Sequence, residues 1–79
     1  MYIVAKSLYD IGEYDTSLKL FQELAINEQS SEAYYYIAKI HSSKGDINNA
    51  IESYQKSWQL NPNKAEVYLE LGQLYSRMG

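Results

Sequence analysis

Cysteine is absent, proline and histidine occur once each, and tryptophan and phenylalanine are single residues beside nine tyrosines. Without thiols there are no disulfides and no thiolate metal sites, which fits a reducing compartment such as the cytoplasm. One histidine gives a metal centre no support, so no metal and no cofactor is expected. A basic excess is missing too. Seven Lys and Arg are scattered among ten Asp and Glu, for a net charge of −3, and no cationic stripe for nucleic acid is visible. No apolar run approaches the roughly 18 residues of a membrane span, and no charged-then-apolar signal segment opens the sequence. The four glycines are isolated, so no phosphate-cradling loop exists.

What remains is a chain of 79 residues, 46% hydrophobic, which is enough for one small folded domain near the lower limit of a self-sufficient core. Its second half says nearly the same thing twice. Glu32-Ala33-Tyr34-Tyr35-Tyr36-Ile37-Ala38-Lys39-Ile40-His41 returns 34 residues later as Glu66-Val67-Tyr68-Leu69-Glu70-Leu71-Gly72-Gln73-Leu74-Tyr75, and Gly45 returns as Gly79. A fixed period of this size means stacked supersecondary units, each covered by its neighbours. Such an array offers a long shaped surface, so binding is the default expectation.

Apolar residues recur at helical spacing in Tyr34, Ile37, Ala38 and His41, in Ile47, Ala50, Ile51 and Tyr54, and in Tyr68, Leu71, Gly72 and Tyr75. Nothing alternates with period two. Gly12, Gly45 and Gly79 stand where helices would stop in the left-handed conformation. Pro62 ends the helix before it and holds Asn61 extended. Ser30 or Ser31, and Asp46, are candidate N-caps. Five helices follow, at about 2–11, 14–27, 31–44, 47–60 and 64–78, with connections short enough to force antiparallel neighbours.

Tyr34-x2-Ile37-Ala38-x2-His41, then Ala50-x3-Tyr54, then Pro62, resembles a tetratricopeptide repeat, and Tyr68-x2-Leu71-Gly72-x2-Tyr75 resembles the first half of another. A worn copy precedes them in Val4-Ala5-x2-Leu8, Gly12 and Ser17-x3-Phe21. It is one residue short near Asn27–Gln29, where the usual proline is also missing. The resemblance implies an all-α solenoid of antiparallel helix pairs wound as a right-handed superhelix. It would hold about two and a half repeats: residues 1–30 a degenerate first, 31–64 a second, and 65–79 the first helix of a third. Ala5, Ala38 and Gly72 would then let a partner helix approach, as would Ser17, Ala50 and Ser57 from the other side. Rings at Phe21, Tyr34, Tyr54 and Tyr68 would fill the space between pairs. Leu24 and Trp58 place bulk where small residues are usual.

The resemblance also implies a protein-interaction scaffold without catalysis, whose first helices line a concave groove. The matching positions are Tyr2, Lys6 and Tyr9; Glu32, Tyr35, Lys39 and Ser42; and Glu66, Leu69, Gln73 and Ser76. Tyr2 and Tyr35, each with a lysine one turn on, would form a Tyr/Lys ladder able to grip a peptide or helix bearing an acidic or aromatic residue; alternatively they are surface residues of no consequence. The clamp with which family members hold acidic chaperone tails is not expected, because its positions read Tyr2, Lys6, Tyr36, Glu66 and Glu70, with two carboxylates in place of cations. His41 has Ser42, Ser43 and Asp46 nearby in sequence, yet it matches Tyr75 of the next copy and reads as a packing residue.

The last helix repeats an apolar face at Tyr68, Leu71, Leu74 and Tyr75. Exposing several such side chains, each worth about 1.5–3 kcal/mol when buried, would take a large share of an ordinary stability of about 5–15 kcal/mol. Either the sequence is cut from a longer array, or this face pairs with a partner or a second copy. The alternative function is therefore a structural assembly segment that oligomerises through its array ends.

Overall fold

The computed structural model describes residues 1–78, and they form five helices and no strand. These are α1 (Tyr2–Asp10), α2 (Tyr14–Glu28), α3 (Ser31–Ser43), α4 (Ile47–Leu60) and α5 (Ala65–Met78), each within about one residue of its expected bounds. The expected stop at Gly79 lies outside the described residues.

Two of the helix ends are copies of each other. After α1, the Glu13 amide donates to the Leu8 carbonyl (2.8 Å) and the Gly12 amide to that of Tyr9 (3.1 Å). After α3, Asp46 donates to His41 (2.9 Å) and Gly45 to Ser42 (3.1 Å). Both are Schellman caps, and both need a left-handed residue at the turn, supplied by Gly12 at φ +88° and Gly45 at φ +79°. The end of α2 reaches the same region without glycine: Gln29 has φ 47° and ψ 48°. Asn61 is extended before Pro62, at φ −146° and ψ 86°.

Ser30 caps α3 by accepting the Ala33 amide (3.1 Å). Asp46 does not cap α4 with its side chain. Its carboxylate instead takes the Asn49 side-chain amide at 2.7 Å and lies 3.6 Å from His41 Nδ1.

Each helix packs chiefly on the helices before and after it, in a body of 35 × 24 × 17 Å. One core, between α1, α2 and α3, gathers Ala5, Phe21, Leu24, Ala25, Ala33, Ile37 and Ile40. A second, between α3, α4 and α5, gathers Ala38, Ala50, Tyr54, Val67 and Leu74. Ala5, Ser17, Ala38, Ala50 and Ser57 are all fully buried, so the small residues sit at close helix crossings. The buried hydroxyls remain satisfied: Ser17 donates to the Ala5 carbonyl (2.7 Å), and Ser31 and Ser57 donate to each other's carbonyls (3.0 and 2.9 Å). Leu24 is accommodated in the first core, while Trp58 remains partly exposed.

Three expectations for α5 are corrected. Gly72 has no neighbour where a Cβ would stand, Tyr68 is half exposed, and Leu74 is core rather than surface. The cause is that a repeated helix has two working faces. Ala33, Ile37 and Ile40 of α3 pack back against the first core, and their counterparts Val67, Leu71 and Leu74 pack back against α4. Ala38 faces forward onto Ala50 of α4; its counterpart Gly72 meets no helix among the described residues.

Candidate protein-interaction site

Three consecutive tyrosines on α3 organise the surface, because successive helical residues turn about 100° apart and so address different neighbours. Tyr36 points into the first core, stacked on Phe21 with centroids 5.0 Å apart and planes at 11°. Tyr2 meets it edge-on at 6.2 Å and Tyr9 at 5.2 Å, so one ring ties α1 to α3. Tyr35 turns toward the second core, edge-on to Tyr36 at 5.4 Å and to Tyr54 at 5.8 Å. Tyr34 turns to the opposite side, under the Lys56 ammonium at 5.7 Å. The result is a continuous aromatic face of Tyr2, Tyr9, Tyr36 and Tyr35, each ring half buried and fixed by edge contacts.

The expected groove residues divide on this face. Tyr2, Tyr9, Tyr35 and Lys39 come together. The three rings also help cover the cores, so the groove and the packing surface share them. The Tyr/Lys ladder is uneven: Lys39 lies 5.4 Å over its own Tyr35, whereas Lys6 pairs with Asp10 at 3.2 Å. Glu32 forms an ion pair with Lys64, whose ammonium is also 5.1 Å over the Tyr35 ring. Ser42 is half buried near the end of α3. Glu66 is exposed at the start of α5, near enough to Tyr35 and Lys64 to influence both. Leu69, Gln73 and Ser76 instead line an open depression on α5 with Tyr68 and Gly72. Tyr36, the hub of the face, was not among the expected groove residues; its counterparts are Ile3, 33 residues before it, and Glu70, 34 after it, so the repeat carried no signal for a ring there.

The electrostatics keep the tyrosines protonated. Burial holds the Tyr54 hydroxyl far above the ordinary tyrosine range, with Glu70 adding to the effect, and that hydroxyl donates to Glu70 Oε2 at 3.0 Å. Burial likewise raises Tyr35, reinforced by Glu70 and Glu66. It raises Tyr9 and Tyr2 as well, Tyr9 partly offset by Lys39. The Lys64 ammonium is pulled down by desolvation, with Glu66 opposing. His41 is half buried and faces Asp46, in a cavity of about 350 Å³ shared with Tyr34, Ile37 and Ala25. Among the described residues no three metal-ligating side chains converge, and no helix is long and apolar enough to cross a membrane.

Of the four residues expected to self-associate, Leu74 is buried and Leu71 is half buried against the second core. Only Tyr68 and Tyr75 present large exposed surface, and both are held by α4. Tyr68 stands edge-on to Trp58 at 5.9 Å and accepts its indole N–H, and Gln55 donates to the Tyr75 hydroxyl at 3.0 Å.

Residues 39–79 match the family model described as TPR repeat. The chain belongs to the TPR repeat family. Curated relatives of this TPR chain include the Photosystem I assembly protein Ycf3 of Synechococcus sp. (strain CC9605), 33% identical over 72 residues, covering 86% of this chain and 42% of that protein. BBSome complex member BBS4 of Bos taurus is 39% identical over 46 residues, 58% of this chain and 9% of that protein. Among solved structures, a crystal structure of MamA superposes with a TM-score of 0.86 at 28% identity, over 95% of this chain and 44% of the other. The chain thus spans less than half the length of these relatives. Helical repeats of this family typically serve as non-catalytic protein-interaction scaffolds.

Proposed function

We propose that this TPR array is a scaffold that captures an extended peptide or a helix of a partner protein in the groove formed by α1, α3 and α5. Its units are residues 1–30, 31–64 and the single helix from 65 onward. The observation that carries this is the aromatic face. Tyr2, Tyr9, Tyr36 and Tyr35 each keep part of the ring in solvent while neighbouring rings hold it in place. Rigid, half-exposed tyrosines are what binding hot spots are made of, because little side-chain entropy is lost when a ligand covers them.

The direct test is a phage-displayed random 12-mer library panned on the immobilised chain, with recovered peptides measured by fluorescence anisotropy. Tyr9→Ser and Tyr2→Ser should each weaken the recovered peptides by roughly tenfold, or about 1.4 kcal/mol. An outward substitution on α2 such as Lys19→Ala should leave them unchanged. Peptides indifferent to both groove variants would end this reading.

A second reading is supported by α5, where Tyr68, Leu69 and Tyr75 are 50%, 66% and 50% exposed. There the array end makes the contact and builds an assembly. Sedimentation at high micromolar concentration separates the two: Leu69→Asp should then dissolve an oligomer that Tyr9→Ser leaves intact.

A further inference from the structure

The geometry points to a basic segment as the occupant of the groove: a stretch of partner protein that places Arg or Lys beside Glu66 and Glu70 and an apolar or aromatic residue against Tyr9 and Tyr36. This rests on the groove reading above and reverses the acidic preference that the Tyr/Lys spacing suggested. Two of the three lysines beside the groove are already in ion pairs, and the third lies over a ring. Lys6 is held by Asp10, Lys64 by Glu32, and Lys39 lies over the Tyr35 ring.

The carboxylates are not matched in the same way. Around the Tyr35 ring, where the start of α5 approaches α3, the carboxylates of Glu32, Glu66 and Glu70 outnumber the ammoniums of Lys39 and Lys64. Among the described residues neither Glu66 nor Glu70 forms an ion pair, and Glu70 accepts only the neutral Tyr54 hydroxyl. The two stand one helical turn apart and both act on Tyr35, so their fields add over an aromatic floor. That floor favours cations as well. The chain's own Lys39 and Lys64 sit 5.4 and 5.1 Å from the Tyr35 centroid, the distance at which a ring face attracts an ammonium or guanidinium. A carboxylate arriving here would meet two carboxylates that stand outside any ion pair among the described residues; a guanidinium would meet acceptors and rings together.

The test pans the same random 12-mer library on the full chain and on Glu66→Lys and Glu66→Gln. Glu66 is exposed, and circular dichroism melting would show that both variants fold. Peptides selected by the unaltered chain should carry net positive charge. They should weaken roughly tenfold on Glu66→Lys, less on Glu66→Gln, and weaken again when their own Arg or Lys is exchanged for Glu. Raising NaCl from 50 to 500 mM should loosen them. Recovery of acidic peptides that depend on Tyr9 but bind Glu66→Lys as well or better would overturn the basic preference and leave the groove standing. Recovery of peptides indifferent to both Tyr9→Ser and Glu66→Lys would overturn the groove and this inference together.

Discussion

The two cores are built from the same repeat and have opposite strengths. The first lies where the motif is worn, one residue short and lacking its proline, yet it is the larger: Phe21, Leu24, Ile37 and Ile40 are buried and five tyrosines pack on it. The second lies largely in residues 39–79, where the family pattern is regular enough to match, and its large buried side chains are only Tyr54, Val67 and Leu74. Regularity of sequence therefore reports how interchangeable a unit is with its neighbours, not how well it is packed. Stability in a stacked array follows the number of faces covered, and α3 is covered on both sides while α5 is covered on one.

Truncating a large buried side chain in each core is the strongest way to break this contrast. Phe21→Ala takes a fully buried ring away from Tyr2 and Tyr36 together and should cost about 3–5 kcal/mol, enough to abolish a cooperative urea transition in a domain this small. Leu74→Ala should cost nearer the low end of about 2–5 kcal/mol, because α5 can shift into the space. Hydrogen exchange would separate the modes: protection lost throughout for Phe21→Ala, and in α5 first for Leu74→Ala. Equal costs, with equal spread of lost protection, would show that the two cores are one cooperative unit.

A smaller effect probes the polar contact that joins α4 to α5. Tyr54→Phe keeps the ring in the second core and deletes the hydroxyl that Glu70 accepts, with an expected loss of about 1–2 kcal/mol. The same residue sets a pH dependence. Its folded value lies far above the ordinary tyrosine value of about 10, so between the two the folded chain holds a proton that the unfolded chain has released. Stability from this source is complete below pH 10 and declines as pH climbs above it. Urea midpoints taken from pH 8 to 11 should fall less steeply in Tyr54→Phe; parallel curves would count against the buried hydroxyl as the source.

Most of the fold was legible because it rests on local rules. Helix periodicity, two glycine stops, Pro62 and the Ser30 cap all act within a few residues, and the bounds followed. The site was legible only in part because it depends on which of two apolar stripes meets which neighbour. Tyr34, Tyr35 and Tyr36 are indistinguishable in sequence, and only the arrangement of α1, α2 and α4 around α3 sends one to Lys56, one to Tyr54 and one to Phe21. Charge pairing was hidden for the same reason. Lys64–Glu32 and Lys44–Asp15 join residues 32 and 29 positions apart, across helices, beyond the reach of any spacing rule.

The mildest test addresses the missing residue itself. Where the regular repeat has its loop and proline, α2 ends on Gln29 in the left-handed region, the conformation that Gly12 and Gly45 adopt at two of the other turns. A side chain there carries about 1–2 kcal/mol of strain that glycine avoids, set against the extra backbone freedom glycine gains on unfolding, about 0.5–1 kcal/mol. Gln29→Gly should therefore stabilise the chain slightly, by up to about 1 kcal/mol, while Gly12→Ala should destabilise it by a similar or larger amount. Thermal melts of both variants give the sign directly. If Gln29→Gly lowers the melting temperature, the Gln29 side chain contributes a contact that outweighs its backbone strain, and the worn connection is an adaptation of the first core rather than a defect in it.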